Sequence, residues 1–409
     1  MNKITADRLN KIEPSPTLAI TALAAQLKAE GKDIIGFGAG EPDFDTPEHI
    51  KDAAKKALDE GFTKYCDVSG LPDLKTAICD WYKNEYNLLF QKDQIIVSTG
   101  GKQALYNLFL SIINIGEEVI IPAPYWVSYK DMVMLAEGNP VIVQTTFTDG
   151  YKLTADALEK AITSKTKAII LNSPSNPTGA VYSQDEMQRL AAVLEKHENI
   201  LIITDDIYDR LLYDDQKFFN IPMVSEKLRE RSIIVNGFSK TYSMTGWRLG
   251  YALSERTEII KAMAKLQGQS TSNATTFAQK GAIDALTSSQ SCVEEMKRAF
   301  VERRDFIVDS LSKCPGINVV KPGGAFYVFP DFEELSKSDG FLKLKKENAE
   351  ETSHSKLLTK LLLEKYLVAI VPGIAFGYDN GFRMSYASSL DNIKKGMERI
   401  HECFNNLYK

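Results

Sequence analysis

Short apolar runs alternate with amphipathic stretches through the middle of the chain. Ile95-Ile96-Val97-Ser98, Glu118-Val119-Ile120-Ile121, Lys167-Ala168-Ile169-Ile170-Leu171, Leu201-Ile202-Ile203-Thr204 and Ser232-Ile233-Ile234-Val235-Asn236 each read as a strand. Between them, Leu105, Leu108, Phe109 and Ile112 recur at helical spacing from Lys102 to Ile113, and Gln184 to His197 reads as a second helix. The strand-like runs are apolar on both faces rather than alternating. That pattern predicts an α/β fold with a mostly parallel sheet covered by helices on each side. In such sheets ligands bind beyond the carboxyl ends of the strands.

The pattern changes from about residue 290. A long helical stretch, Val293 to Lys313, precedes Pro322-Gly323-Gly324 and the strand-like Ala325-Phe326-Tyr327-Val328-Phe329. Phe332 to His354 is polar and reads as surface structure. Leu357 to Lys365 reads as a helix, and Val368-Ala369-Ile370-Val371 and Phe382-Arg383-Met384-Ser385-Tyr386 as strands. The expected organisation is a large α/β domain over residues 46–290 and a smaller α+β domain over 291–409, with the N-terminal segment 1–45 packed beside the smaller one.

Composition narrows the function. A chain of 409 residues holds two or three domains at roughly 150 residues each. A net charge of -5 argues against nucleic acid as partner, because phosphate binding wants a basic face. The basic run Lys343-Leu344-Lys345-Lys346 is explained by a solvated face. Cys66, Cys79, Cys292, Cys314 and Cys403 are odd in number and scattered, as expected for reduced thiols in the cytoplasm. His49, His197, His354 and His401 form no metal-ligand spacing, so no metal site is expected. The N-terminus leads into no signal-like apolar region, and no apolar run is long enough to span a membrane.

Five groups of residues carry candidate chemistry. Ser239-Lys240 follows the run ending at Asn236, with Arg248 shortly after. Burial or nearby cations lower a lysine's pKa and favour a Schiff base with an aldehyde, and an arginine binds phosphate bidentately. Asp205-Asp206-Ile207-Tyr208 follows Thr204. A carboxylate there can pair with a protonated ring nitrogen and a phenol with a ring oxygen, although acidic residues opening a helix would explain the pair equally well. Gly100-Gly101-Lys102-Gln103 stands between a strand and a helix, where bare backbone and free N–H groups suit an anion. Asn172-Ser173-Pro174-Ser175-Asn176-Pro177-Thr178-Gly179 is a rigid turn that holds the Asn176 amide at a strand end. Arg383 lies within an apolar strand and needs a partner, for which a substrate carboxylate or a structural ion pair would serve. Each group has a plain structural explanation alone; their order, and their recurrence at strand ends, does not.

With Gly38-Ala39-Gly40-Glu41-Pro42-Asp43-Phe44-Asp45-Thr46-Pro47 and Pro124-Tyr125-Trp126, these motifs resemble the fold-type-I pyridoxal-phosphate aminotransferases, most closely the bacterial-type aspartate aminotransferases. The resemblance runs nearly end to end. It implies a seven-stranded sheet in the large domain, pyridoxal 5'-phosphate as cofactor, and ping-pong transamination from L-aspartate to 2-oxoglutarate, giving oxaloacetate and L-glutamate. Lys240 would hold the cofactor and shuttle a proton, Asp205 would pair with the pyridine nitrogen, Tyr208 and Asn176 would bind the ring oxygen, and Trp126 would stack on the ring. Gly100, Gly101, Lys102, Ser239 and Arg248 would surround the phosphate, and Tyr65 would reach the phosphate of a neighbouring subunit in a homodimer with shared sites. Gly40 and Arg383, beside Trp126 and Asn176, would hold the substrate α-carboxylate. Lys102, Ser15 and Thr17 would meet the distal carboxylate. Glu13 stands where prephenate-using relatives carry lysine, which counts against prephenate. Alanine, aromatic or prephenate aminotransferases and a carbon–sulfur lyase share the scaffold and are the alternatives, and a cofactor-sensing transcription factor would need an extra DNA-binding domain.

Overall fold

The computed structural model describes residues 4–14 and 16–409. The strands in chain order are β1 (Ile35–Gly36), β2 (Ile95–Ser98), β3 (Glu118–Ala123), β4 (Asn139–Gln144), β5 (Thr166–Asn172), β6 (Leu201–Asp205), β7 (Ser232–Gly237), β8 (Gly250–Leu253), β9 (Tyr327–Val328), β10 (Val368–Ala369), β11 (Val371–Pro372) and β12 (Phe382–Ser385). Seven of them form one sheet in the order β2-β8-β7-β6-β5-β3-β4. Neighbours from β7 through β4 run parallel, and β8 is antiparallel to both β2 and β7. The expected α/β fold with a mostly parallel seven-stranded sheet is the fold observed.

The doubly apolar strands are buried on both faces. Along β3, Val119 and Ile121 face helices Gly101–Ile112 and Ser128–Leu135, while Ile120 between them faces helix Gln184–Leu194. Fully burying each such side chain stabilises the fold by about 1.5–3 kcal/mol, so a register slip that moved them to water is strongly disfavoured. Gly250 opens β8 directly against the start of helix Gly101–Ile112, where any Cβ would collide with the Gly101 backbone. That approach brings the free N–H groups of the helix to the sheet's carboxyl edge.

Two strands of the large sheet lay outside the sequence pattern. β4 is a half-exposed edge strand with Pro140 as its second residue, and Pro is tolerated at such an edge. β8 is four residues long and follows the Lys240 segment without an intervening helix.

The C-terminal part packs around helix Ser291–Ser312, which buries Met296, Phe300, Ile307 and Leu311. The N-terminal segment joins it: β1 pairs in parallel with β10, and Ala24 and Ile34 pack against Leu363 and Ala369. Three expectations need correction here. The polar stretch Phe332–His354 is not merely surface, because Phe332, Leu335 and Phe341 are fully buried and anchor helix Asp339–Glu347; sparse apolar residues at wide spacing hid this. The expected strand Val368–Val371 is two strands in two sheets, since β10 pairs with β1 and β11 pairs with β12. The strand expected over Ala325–Phe329 narrows to β9, which follows a left-handed Ala325.

Candidate active site

A cavity of about 520 Å³ opens at the carboxyl edge of the large sheet and is closed from the other side by β12 and the N-terminal segment. The floor comes from the strand ends. Asp205, the last residue of β6, is buried, and Tyr129 donates its hydroxyl hydrogen to Asp205 Oδ2 at 2.5 Å. Burial pushes the Asp205 carboxyl up to about 6, against the pull of Tyr129. Residues 207–210 form a turn rather than a helix, which removes the helix-start explanation for the acidic pair. Asn172, the last residue of β5, donates to the Asp205 carbonyl at 2.7 Å and accepts from the Asn176 backbone at 2.8 Å, tying two strand ends together.

Lys240 lies in the turn after β7, and its ammonium donates to the Gly40 carbonyl at 2.5 Å. Burial lowers its pKa to about 8; Glu41 opposes this, and Arg383, Arg248 and Lys102 add to it. At pH 7 about a tenth of such an amine is unprotonated, against roughly one part in a few thousand for an ordinary lysine. Beside it, Arg248 faces the Gly100-Gly101 turn. Gly100 has φ +86°, and a Cβ there would stand 2.6 Å from Arg248 Nη2, so the turn is a cradle that a side chain would fill. Lys102 lies 5.0 Å over the Trp126 ring, and burial followed by the charge of Arg248 lowers its pKa.

Among the described residues two arginines are fully buried, and they differ in kind. Arg304 is held by the carboxylates of Asp214 and Asp305. Arg383, 1% exposed, donates to Asn176 Oδ1 at 3.1 Å and to the Gly38 carbonyl at 2.7 Å, and lies over the rings of Tyr327 and Phe376. Among the described residues no carboxylate pairs with it, and its Nε has no partner. A buried guanidinium left this way costs several kcal/mol unless an anion completes it, and it borders the cavity.

The conserved-family profile for aminotransferase class I and II matches residues 32–400. The chain belongs to the class I and II aminotransferases. It is 46% identical over 400 residues to an aspartate aminotransferase of Bacillus sp. strain YM-2, covering 98% of this chain and 99% of that one. It is 48% identical over 395 residues to an aspartate/prephenate aminotransferase of Nitrosomonas europaea, covering 97% and 98%. A crystal structure of aspartate aminotransferase from Rhizobium meliloti superposes with a TM-score of 0.92 at 40% identity, covering 99% of this chain and 100% of that one.

The family uses pyridoxal phosphate, and the donor set fits that group. The Gly100 cradle with Arg248 and a helix N-terminus suits a phosphate, Asp205 suits a protonated pyridine nitrogen, and Lys240 is an amine of lowered pKa. Of the residues expected from sequence, Gly40, Thr17, Gly101, Lys102, Trp126, Asn176, Asp205, Tyr208, Ser239, Lys240, Arg248 and Arg383 all line the cavity, and Gly100 abuts Arg248. Ser15 lies outside the described residues. Tyr65 does not line this cavity and is 90% exposed. Sequence reasoning missed Tyr129 and Tyr327, whose hydroxyl shares a 3.0 Å hydrogen bond with that of Tyr208. Trp126 precedes the helix Ser128–Leu135; the Tyr129 backbone N–H donates to its carbonyl at 3.0 Å and the two rings meet edge to face, so closeness in sequence to Trp126 was the available signal.

Proposed function

We propose that this aminotransferase moves the amino group of L-aspartate to 2-oxoglutarate, with pyridoxal 5'-phosphate held on Lys240. The observation that carries the reading is the contrast between Arg304, which has its carboxylates, and Arg383, which lacks one and borders the cavity. Aspartate and 2-oxoglutarate each bring a carboxylate for Arg383, and each carries a second one for Lys102.

When bound, the cofactor supplies an electron sink that acidifies the substrate Cα–H. The chain supplies the rest. Asp205, the buried carboxylate at the end of β6, would pair with the pyridine nitrogen and favour its protonated form. Tyr129 fixes that carboxylate in place. Trp126 would cover the ring, and Tyr208 and Asn176 would donate to its oxygen. Gly100, Gly101, Ser239 and Arg248 would receive the phosphate. Arg383 and Gly40 orient the α-carboxylate so that the Cα–H faces Lys240, whose amine, neutral above about pH 8, takes and returns the proton. Walls of Trp126, Tyr129, Tyr208 and Tyr327 keep water from that step.

The homodimer proposed from the resemblance, in which each copy lends Tyr65 to the other's phosphate, requires this phenol at the surface, and it is 90% exposed. Among the described residues no helix is long and apolar enough to cross a membrane. That absence is compatible with the cytoplasmic location proposed here, as are the five free thiols. The domain division proposed from sequence, 46–290 against 291–409 with 1–45, has its support in the β1–β10 pairing.

Acidic selectivity through Lys102 is open to a direct test. Losing a charged partner in a desolvated site costs about 2–5 kcal/mol, so Lys102→Ala lowers kcat/KM for aspartate by at least about ten-fold. Alanine, without a distal carboxylate, loses much less. Equal losses for the two donors, in steady-state assays against 2-oxoglutarate, would mean that Lys102 serves only the phosphate. Thr17 lines the same wall and adds a neutral donor.

A further inference from the structure

Apart from the cavity, three side chains from three helices meet at the surface. His49 comes from Glu48–Asp59, Asp284 from Thr276–Thr287 and Cys292 from the first turn of Ser291–Ser312. His49 Nδ1 hydrogen-bonds Asp284 Oδ2, and the other carboxylate oxygen accepts from the Ser288 hydroxyl at 2.9 Å. A carboxylate only accepts, so Nδ1 carries the hydrogen, and in the neutral ring Nε2 presents a lone pair. That Nε2 lies 4.0 Å from Cys292 Sγ. The His49 and Asp284 side chains are 36% and 30% exposed, and Cys292 is partly exposed.

A nucleophile, a base and a carboxylate that orients the base are thus in sequence through space. We infer that Cys292 is a thiol-modification site, activated by His49 and Asp284, that takes small-molecule disulfides by thiol–disulfide exchange. His49 Nε2 accepts the thiol proton, and Sγ attacks one sulfur of the disulfide R–S–S–R. That S–S bond breaks as the bond from Sγ to the attacked sulfur forms, and the departing thiolate takes the proton from His49 and leaves as R–SH. Cys292 is oxidised to the mixed disulfide, and half of the incoming disulfide is reduced.

The surroundings make the base necessary. Burial pushes the Cys292 thiol above its usual range, with Glu295 adding to this and the helix N-terminal N–H groups opposing it. Unaided thiolate is therefore scarce at neutral pH. The other ionisable groups nearby are Glu48 and Lys51, which pair with each other, and Tyr242, which donates to Gln290. The remaining cysteines serve as internal controls. Cys314 lies 3.7 Å from His401 but is buried, and Cys403 is buried and pushed up to about 12. Cys66 and Cys79 have exposure similar to that of Cys292, with Gln279 and Asp80 as their respective neighbours.

The test uses the holoenzyme with glutathione disulfide at neutral pH, followed by intact mass and peptide mapping. A single early adduct on Cys292 is expected. Iodoacetamide alkylation of Cys292 at neutral pH should outpace that of Cys66 and Cys79 by at least about ten-fold. His49→Asn and Asp284→Asn should each slow both reactions, the first by at least about ten-fold, while transaminase turnover stays at the wild-type level. Early adducts on Cys66 or Cys79 would overturn the assignment. So would wild-type alkylation of Cys292 no faster than that of Cys66 and Cys79, which needs no variant to fold, or unchanged reactivity in folded His49→Asn.

Discussion

Lys240→Ala is expected to lower turnover by at least about 10⁴-fold, because under the proposed roles it removes both the residue that would hold the cofactor and the base that would move the proton. The fold survives, since the lysine contributes one hydrogen bond, to the Gly40 carbonyl, and no core packing. In the wild type, capture of pyridoxal phosphate by the cofactor-free chain should quicken as pH rises through about 8, where burial places the ammonium's titration. Its sign is fixed by chemistry: a lowered lysine pKa means the reactive free amine dominates above that value. The same variant tests the shared site. Mixing Lys240→Ala with Tyr65→Ala subunits should restore part of the activity, because one of the two sites in a hybrid dimer regains both residues. Turnover by Lys240→Ala near the wild-type level, measured with aspartate and 2-oxoglutarate, would sink the assignment of this lysine.

Asp205→Ala is expected to lower kcat by about 10²–10³-fold, the range for removing one preorganised electrostatic partner of a developing charge. The carboxylate is aimed by Tyr129 and held by a backbone tied to Asn172, so its loss removes the partner without moving the strand. The effect belongs in kcat more than in KM, because the proposed α-carboxylate partner is Arg383 and not Asp205. A variant with near-normal kcat would show that the ring nitrogen sits elsewhere.

These roles were legible in the sequence to different depths. Asp205, Asn176 and Lys240 each close or follow an apolar run, so the end of the run places them at one edge of one sheet. Arg383 was legible as a cation in an apolar strand, but its lack of a carboxylate partner depends on where Asp214 and Asp305 lie, and they neutralise Arg304 instead. Tyr129 was hidden because its role depends on the rotation of helix Ser128–Leu135 about its axis. Tyr327 was hidden because β9 reaches the cavity from the other half of the chain. Phe332–His354 was misread because three buried residues spaced among charges give no period for a pattern to reveal. The antiparallel β8 left no trace either: four buried residues have no direction until the neighbouring strands are known.

Steady-state kinetics of the wild-type enzyme with aspartate, alanine, phenylalanine and prephenate as amino donor or acceptor, each paired with the complementary partner, bear most directly on the central claim. Aspartate with 2-oxoglutarate should give the highest kcat/KM. It should exceed alanine by at least about ten-fold, the selectivity expected of one desolvated cation meeting a second carboxylate, and ammonia should not accumulate. A higher kcat/KM for alanine or phenylalanine, or release of ammonia and pyruvate from a sulfur-containing amino acid without any oxo-acid acceptor, would contradict it.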